Sequence, residues 1–384
     1  MRIAVLGAAG AMAQVVLRDL LEFVPDLAIT AADMRPARHL VDASRADPRV
    51  TTATLDARDE EATARLLEGH DAALNCVTYY FNVPIMRACL KARVPYADLG
   101  GLYHGTRKQF ALHDEFVRAG VPALLGMGST PGITNVMAGA MAQGLDRVDA
   151  VHVRVGCLDR SLSGPLPVPY ALDTVIDEFS LEPMVFRDGR AEAVSPMSGR
   201  ESIDFPEPVG RMEAISTLHS EVAMFPRSFP GLREASFKVA FEPEFTRKVA
   251  FLVELGFASR EKLPSGSTPR EVLLDLAARQ AVPPGEPADC DVLRVDVEGR
   301  TGGAGGGRPV RRRGELTVLP HPRWRVAAGS LDTGVPLSIA GQLLASRTIT
   351  TPGVLCPETS VPHQLFFEML ERREMRIRWS GHGD

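Results

Sequence analysis

"MRIAVLGAAGAMAQVVLRDLLEF" spans residues 1–23, and the turn at its centre decides how the rest of the chain is read. Strand-turn-helix dinucleotide sites place glycines at relative positions one, three and six. Counted from Gly7, the later two positions hold Ala9 and Met12, so the strict spacing is absent. A turn one residue longer restores the pattern as Gly7, Gly10 and Ala13. Gly7 then takes the tight turn out of the strand, and Gly10 lets backbone approach a pyrophosphate. Ala13 keeps the helix close to the sheet. Ala9, Ala11 and Met12 complete the candidate phosphate-binding segment.

The flanking pattern supports the longer turn. "RIAVLG" reads as a buried strand and "GAMAQVVLRDLLEFV" as an amphipathic helix. "LAITAAD", "VTTATLD", "DAALNCV", "PYADLGG" and "VPALLGMG" follow as strands. Helices are expected at "PARHLVDAS", "DEEATARLLEGH", "NVPIMRACLKA" and "TRKQFALHDEFVRAG". Such alternation implies an α/β fold with a parallel sheet covered on both faces, and right-handed crossovers make it doubly wound. Ligands of such sheets gather at the carboxyl ends of the strands. Those ends hold Asp33, Asp56, Asn75 with Cys76 and Val77, and Asp98. Asp33 stands where a carboxylate receives the adenosine ribose and opposes a 2′-phosphate, which favours NAD over NADP. Arg35 and Arg38, just beyond it, read first as a solvated helix start and second as 2′-phosphate partners. Asp56 reads equally as a cofactor contact and as a helix cap.

At 384 residues the chain has room for two or three domains. Its 45% hydrophobic and 24% charged content is that of a soluble globular protein. The net charge of -5 gives no reason to expect nucleic acid or an anionic membrane as partner. Five scattered cysteines without a CxxC pair suit reduced thiols. With a strand starting at Arg2, no signal peptide is expected and a cytoplasmic location is. Nine histidines without HxH or HExxH spacing predict no metal site.

Beyond "GMGSTPGITNVMAGAMAQGL" the texture changes to strands without regular helices between them, namely "DAVHVRVGCL", "EPMVFRDGR", "VGRMEAIST" and "EASFKVAF". Two helices follow, then "DVLRVDVEG" and "RGELTVLP" flanking the glycine-rich "RTGGAGGGRPVRR", read as a hairpin tip. The last helical stretches, "GVPLSIAGQLLASRT" and "PHQLFFEMLERRE", have no strands of their own and are expected to return to the first domain. The expected division is residues 1–130 as dinucleotide-binding domain, 131–330 as α+β substrate and oligomerisation domain, and 331–384 as returning helices.

"DAALNCVTYYFNVPIMRACLKARVPYADLGG", "GMGSTPGITNVMA", "EAISTLHSEVAMFPRSFPGL" and "GVLCPE" resemble the saccharopine dehydrogenase family, and within it the bacterial L-lysine 6-dehydrogenase branch. The resemblance covers nearly the whole chain. It implies a Rossmann domain with an inserted α+β domain, a nicotinamide cofactor (NAD, with NADP possible), an amino acid substrate and a homodimer or homotetramer. It also implies oxidation of a side-chain amine to a semialdehyde that cyclises, with release of ammonia. Where that branch has a short Gly- and Thr-rich run, this chain carries "STLHSEVAMFPRSFP", which leaves the reaction type in place and opens the substrate.

Amine oxidation needs a proton acceptor, a held substrate and a carbon facing the nicotinamide. His219 is the leading base because imidazole titrates near neutrality. Glu221 either orients it or binds a substrate ammonium. Arg227 and Arg154 are candidate carboxylate clamps. Tyr79 and Tyr80, with Asn82, follow the fourth strand and are candidate walls of the nicotinamide pocket. His104 is the reserve base. Asp98 either contacts substrate or holds its loop, and Asn135 either anchors substrate or caps a turn. Two alternatives stay open. One is reductive coupling of an amine with a carbonyl acid, as in saccharopine or carboxynorspermidine formation, with Arg154, Arg211, Arg227 and Arg233 as anion-binding groups. The other is a non-catalytic nucleotide sensor.

Overall fold

The computed structural model describes residues 1–35, 47–160, 166, 168–280, 286–302 and 307–382. The expected helix at "PARHLVDAS", with Arg38, and the centre of the glycine-rich loop lie outside these residues. The chain forms two compact units. The first comprises Met1–Leu145, Ala223–Pro230 and Ser330–Arg376, and the second comprises Asp146–Val222, Gly231–Gly329 and Ile377–Asp384.

In the first unit, strands β1 (Arg2–Leu6), β2 (Ala28–Asp33), β3 (Val50–Thr54), β4 (Ala72–Asn75), β5 (Tyr96–Asp98) and β6 (Pro122–Leu124) pair in parallel. Both faces of β1 and β4 are buried, as their unbroken apolar runs require. The order runs β6-β5-β4-β1-β2-β3, so the topological switch falls between β1 and β4. A seventh strand, Gly353–Leu355, pairs in parallel with β6. It corrects the expectation that the C-terminal segment brings no strand; at three residues it is too short to show a period.

Other expectations shift locally. The helix expected across "TRKQFALHDEFVRAG" is two, Leu102–Phe110 and His113–Ala119, and the break between them lets Leu112 and Phe116 both enter the core. Asp59, not Asp56, caps the helix Glu60–Leu67, accepting from the Ala62 amide at 2.9 Å. Asp56 pairs with Arg58 at 2.7 Å. The helix Ile133–Ala142 belongs to the first unit, since almost all its residues are buried there, and this moves the expected cut at residue 130 to 145.

The C-terminal helices return to the Rossmann sheet as expected. The helix Ala328–Ala345 passes so close that a Cβ on Gly341 would lie 2.8 Å from Leu74 Cδ1. The fully buried Asp19, on the inner face of the helix Ala11–Phe23, accepts from Ser338 Oγ at 2.5 Å. Arg373 closes a bidentate pair with the same carboxylate at 2.5 and 2.8 Å and covers the Phe23 ring.

The second unit is a mixed sheet of β7 (Arg147–Asp159), β8 (Met184–Arg187), β9 (Arg190–Ala193), β10 (Glu201–Asp204), β11 (Arg211–Ser216), β12 (Glu234–Ala240), β13 (Asp289–Thr301) and β14 (Arg308–Val318). The strand Ile377–His382 adds to β14, which takes the expected third segment's end into this unit. Alternation gives one apolar face, where Val153 of β7 neighbours Phe237 and Val295. The other face sets Lys238, Arg154 and Arg294 side by side. Glu201 pairs with both Arg154 and Lys238, and Glu315 pairs with Arg294. The helices Leu172–Ser180 and Pro269–Ala278 are tied by buried Arg270, which reaches Asp173 at 2.6 Å and Asp177 at 3.0 Å. Among the described residues no helix is long and apolar enough to cross a membrane.

Arg373→Met should destabilise the protein by about 3–5 kcal/mol in denaturant titration at neutral pH, because the Asp19 charge stays buried without its partner. The deficit should shrink as the pH falls, since a protonated Asp19 is no longer a buried charge. A loss below about 1 kcal/mol at neutral pH would show that the pair does not carry a buried charge.

Candidate active site

The opening turn takes the longer form. Gly7 has φ +77°, and a Cβ there would lie 2.9 Å from the Cys76 carbonyl carbon, so glycine alone lets β1 turn past the end of β4. The Gly7 and Ala8 amides donate to Ala32 O at 2.8 and 3.1 Å, and the Gly10 amide donates to Gly7 O at 2.9 Å. Gly10 caps the helix that starts at Ala11, and its absent Cβ would meet only Gly7 O, at 3.2 Å. The amides of Ala11 and Met12 belong to a first helical turn, which has no intrahelical acceptors and here no acidic side chain. Open space, free amides and a positive helix end together fit a pyrophosphate.

Ala9 departs from expectation. Its amide donates to Asp33 Oδ2 at 3.0 Å and is spent within the protein rather than on a phosphate. Asp33 also accepts from the Arg35 amide at 2.8 Å and from its Nε and Nη2 at 3.2 and 3.3 Å. Burial opposes ionisation of Asp33, but the hydrogen bonds from Arg35 and Ala9 overcome it and hold the carboxyl below its ordinary range. The expected ribose acceptor therefore carries a guanidinium, itself half exposed, on its outer side.

At the ends of β4 to β6 a buried network joins three strands. Asn75 Nδ2 donates to Asn82 Oδ1 at 2.9 Å and to Tyr96 Oη at 3.0 Å, while Asn75 Oδ1 accepts from the Val77 amide. Tyr96 donates to Asp98 at 2.9 Å. Asp98 also accepts from the amides of Gly100 and Gly126 and from Gln109 Nε2, at 2.9, 2.7 and 2.5 Å. Burial nevertheless keeps its carboxyl above the ordinary range. Four donors use both oxygens, so of the two roles expected for Asp98 the geometry fits holding its loop and not contacting substrate. Burial pushes the neighbouring Cys76 thiol up to about 12, which keeps it neutral.

Tyr79 and Tyr80 form a short 3₁₀ turn after β4 with ring centroids 4.2 Å apart, Tyr80 being exposed. His104 lies exposed on the helix Leu102–Phe110, edge-on to Tyr103. Asn135 is fully buried. It accepts from the Gly132 amide at 3.2 Å and donates to Glu358 at 2.8 Å, which makes it a cap and not a substrate anchor. Arg227 is exposed, and its guanidinium lies 4.8 Å from the Phe110 ring centre.

In the second unit, His219 is 8% exposed and stacks on Phe237 with centroids 3.7 Å apart. Its Nδ1 contacts the carboxylate of the fully buried Glu221, which opens the helix Glu221–Ser228. Burial disfavours the imidazolium, yet the charge and hydrogen bond of Glu221, with the charge of Glu178, hold His219 above the ordinary histidine range. Glu178 and its donor Tyr170, 2.6 Å away, were missed because an acid in "LDTVIDEFS" reads as a solvated helix face. Arg154 corrects another expectation. It is buried, donates from Nε to Glu201 at 3.1 Å and from Nη1 to Ser236 Oγ at 3.0 Å, and so is paired within its own sheet. Arg211 and Arg233 are exposed and paired with Asp204 and Asp188. A cavity of about 580 Å³ in this unit is lined by Arg160, Asp289, His321 and Arg325 among others, and by none of the His219 group.

Residues 3–124 match the saccharopine dehydrogenase NADP binding domain, and residues 128–375 match the saccharopine dehydrogenase C-terminal domain. A carboxyaminopropylagmatine dehydrogenase from Synechocystis is 28% identical over 218 residues, 54% of this chain and 54% of that protein. A carboxynorspermidine synthase from Vibrio cholerae is 24% identical over 225 residues, 54% and 53% of the two chains. The match thus spans about half the length of these curated relatives, and their names are not those of lysine-deaminating enzymes. The fold resembles that of saccharopine dehydrogenase (L-Glu forming) from Saccharomyces cerevisiae, with TM-score 0.73 at 17% identity over 100% of both chains. It also resembles homospermidine synthase from Legionella pneumophila, solved with NAD, with TM-score 0.66 at 13% identity over 99% of this chain and 91% of that one.

Arg35→Ala should move the two nucleotides in opposite directions in fluorescence titrations, tightening NADH by freeing Asp33 and weakening NADPH by removing a phosphate partner. Equal changes for both would show that Arg35 does not read the ribose. Gly10→Val should abolish binding of both nucleotides while circular dichroism stays that of the wild type, because its side chain would fill the pyrophosphate's space. Retained binding would refute the longer turn.

Proposed function

The chain belongs to the saccharopine dehydrogenase family, and from that premise we propose that it uses NAD(P)H to couple a primary amine to the carbonyl carbon of an oxo acid. The relatives named above support this direction, since both are named for amines bearing a carboxyl-carrying arm. The observation that carries it is the contact of His219 Nδ1 with the buried Glu221 carboxylate, which together with the charge of Glu178 holds the ring above the ordinary histidine range. Oxidative deamination of L-lysine, the expectation from sequence, needs a proton acceptor, and a raised His219 pKa displaces that role toward alkaline pH.

Coupling needs a proton donor. The amine nitrogen attacks the carbonyl carbon to give a carbinolamine. His219, with Nδ1 taken by Glu221, gives the proton of Nε2 to the carbinolamine hydroxyl. The C–O bond breaks, water leaves, and the nitrogen lone pair forms the C=N bond. The dinucleotide, when bound, supplies the hydride that reduces it. The amides of Ala11 and Met12 would hold the pyrophosphate, and Asp33 with Arg35 would receive the adenosine ribose. Arg227, exposed and cationic, would hold the oxo acid's carboxylate, and Tyr79 and Tyr80 would line the nicotinamide site.

The test is oxidation of NADH or NADPH with an amine (1,4-diaminobutane or L-lysine) and 2-oxoglutarate, together and separately. Turnover is expected only with both partners present. His219→Asn should lower kcat by roughly 10²–10⁴-fold. Because the folded pKa of His219 is raised, the donor form is complete below the ordinary histidine range, and the rate falls as pH rises through the raised value. Reduction of NAD by L-lysine alone, with no activity from any amine and oxo acid pair, would reverse the proposed direction. Nucleotide binding without any turnover would favour the sensor reading.

A further inference from the structure

The stretch "GMGSTPG", residues 126–132, follows β6 at the carboxyl edge of the first unit's sheet. Its start is tied to the end of β5, where the Gly126 amide donates to Asp98 Oδ1 and the Met127 amide to Asp98 O, both at 2.7 Å. Across its middle the Gly128 amide donates to Pro131 O at 2.8 Å, and the Ile133 amide to Gly128 O at 3.0 Å. A Cβ on Gly132 would run into Gly128 O, so only glycine closes this loop. Between these ties stands Ser129, half-buried.

Ser129 meets the returning helix Ala328–Ala345. Its Oγ donates to Asp332 Oδ2 at 2.9 Å, and Thr333 Oγ1 donates to Asp332 Oδ1 at 3.3 Å. Asp332 is 1% exposed, whereas Thr333 is half-buried. A Cβ on Gly128 would lie 3.5 Å from Thr333 Cγ2, so loop and helix touch directly. The same helix lies against the start of the helix Ala11–Phe23, where a Cβ on Gly334 would be 2.9 Å from Met12 O and 2.6 Å from Val15 Cβ. Ser338, one turn further on, meets Asp19, so the two helices run in the same direction. Asp332 lies about 3 Å before Gly334 along the axis, toward the carboxyl edge.

A hydroxyl has one proton to give and lone pairs with which to accept. Ser129 and Thr333 both give theirs to Asp332, which leaves each of them an acceptor. A dinucleotide crosses this edge at the switch between β1 and β4. With its adenosine ribose at Asp33 on β2, its nicotinamide half falls on the side of β4 to β6, where Ser129 stands. The contact of Gly334 with Met12 keeps the two hydroxyls within the dinucleotide's span. The one hydrogen-bond donor on a nicotinamide ring is the amino group of its carboxamide. We propose that Ser129 and Thr333, fixed as acceptors by the positioning residue Asp332, hold that amino group. The proposal rests on the dinucleotide of the reaction set out above and not on the direction of hydride transfer. A carboxamide held there fixes which face of the ring is turned to the substrate.

The experiment is calorimetric titration with NAD, with nicotinic acid adenine dinucleotide and with ADP-ribose, or with their 2′-phosphorylated forms if NADP binds more tightly. The acid analogue offers a carboxylate in place of the amino group, and two fixed acceptors repel it. The wild type should bind NAD about tenfold or more tightly than the analogue. In Ser129→Ala/Thr333→Val that preference should collapse toward equality while ADP-ribose affinity stays within about twofold, and Thr333→Ser should retain it. Asp332→Asn should narrow the preference, because its amide can donate to the hydroxyls and release their protons outward. A wild type without the preference overturns the proposal, as does a double variant that keeps it. If the double variant no longer binds ADP-ribose, an unchanged preference in Ser129→Ala overturns it instead. A raised KM for the amine with the nucleotide preference intact would assign the hydroxyls to the substrate's ammonium and likewise overturn the proposal. None of these binding outcomes depends on turnover, so the coupling reaction stands or falls separately.

Discussion

Four hydrogen bonds into one buried carboxylate organise the carboxyl edge of the first unit. β5 and β6 are three residues long and end abruptly, which leaves the amides of half-buried Gly100 and buried Gly126 to find partners beyond the strands. Buried donors must be paired, and Asp98 pairs both. Through Tyr96 and Asn75 the same network reaches the Val77 amide. That segment is the surface against which Gly7 turns. The turn at Gly7 is thus linked to the Asp98 carboxylate through the ends of β5 and β4. Such networks are worth more than the sum of their pairs.

The second unit solves a different problem. Its sheet carries a cationic row on one face and an apolar surface on the other, and the two are managed separately. On the cationic face Arg154 pairs with Glu201 and Arg294 with Glu315. On the apolar face, where Phe237 lies, the charges around His219 are few and unequal. An ion pair that balances stabilises a scaffold. One that does not balance responds to pH, and that difference separates the framework arginines from the His219 group.

Local features were legible in the sequence and long-range ones were not. The Gly7–Gly10 turn and the strand-helix alternation depend on spacing within a few residues, which the chain displays openly. Arg154 and Glu201 lie on strands far apart in sequence, so nothing in "VRVG" marks its arginine as already paired. Asp98 and Glu221 are both acids beside apolar runs, yet one accepts from four protein donors and the other meets an imidazole. Gly353–Leu355 is legible only once β6 offers an edge to it.

That last strand has a consequence for how the protein is made. β6 emerges from the ribosome early, but the strand that covers its outer edge follows only after the second unit's segments Asp146–Val222 and Gly231–Gly329 have been synthesised. During that interval the nascent first unit presents an uncovered edge of apolar residues, the kind of surface on which chains pair wrongly with one another. Chaperone dependence in the cell should therefore track the length of the insertion rather than the stability of the finished fold.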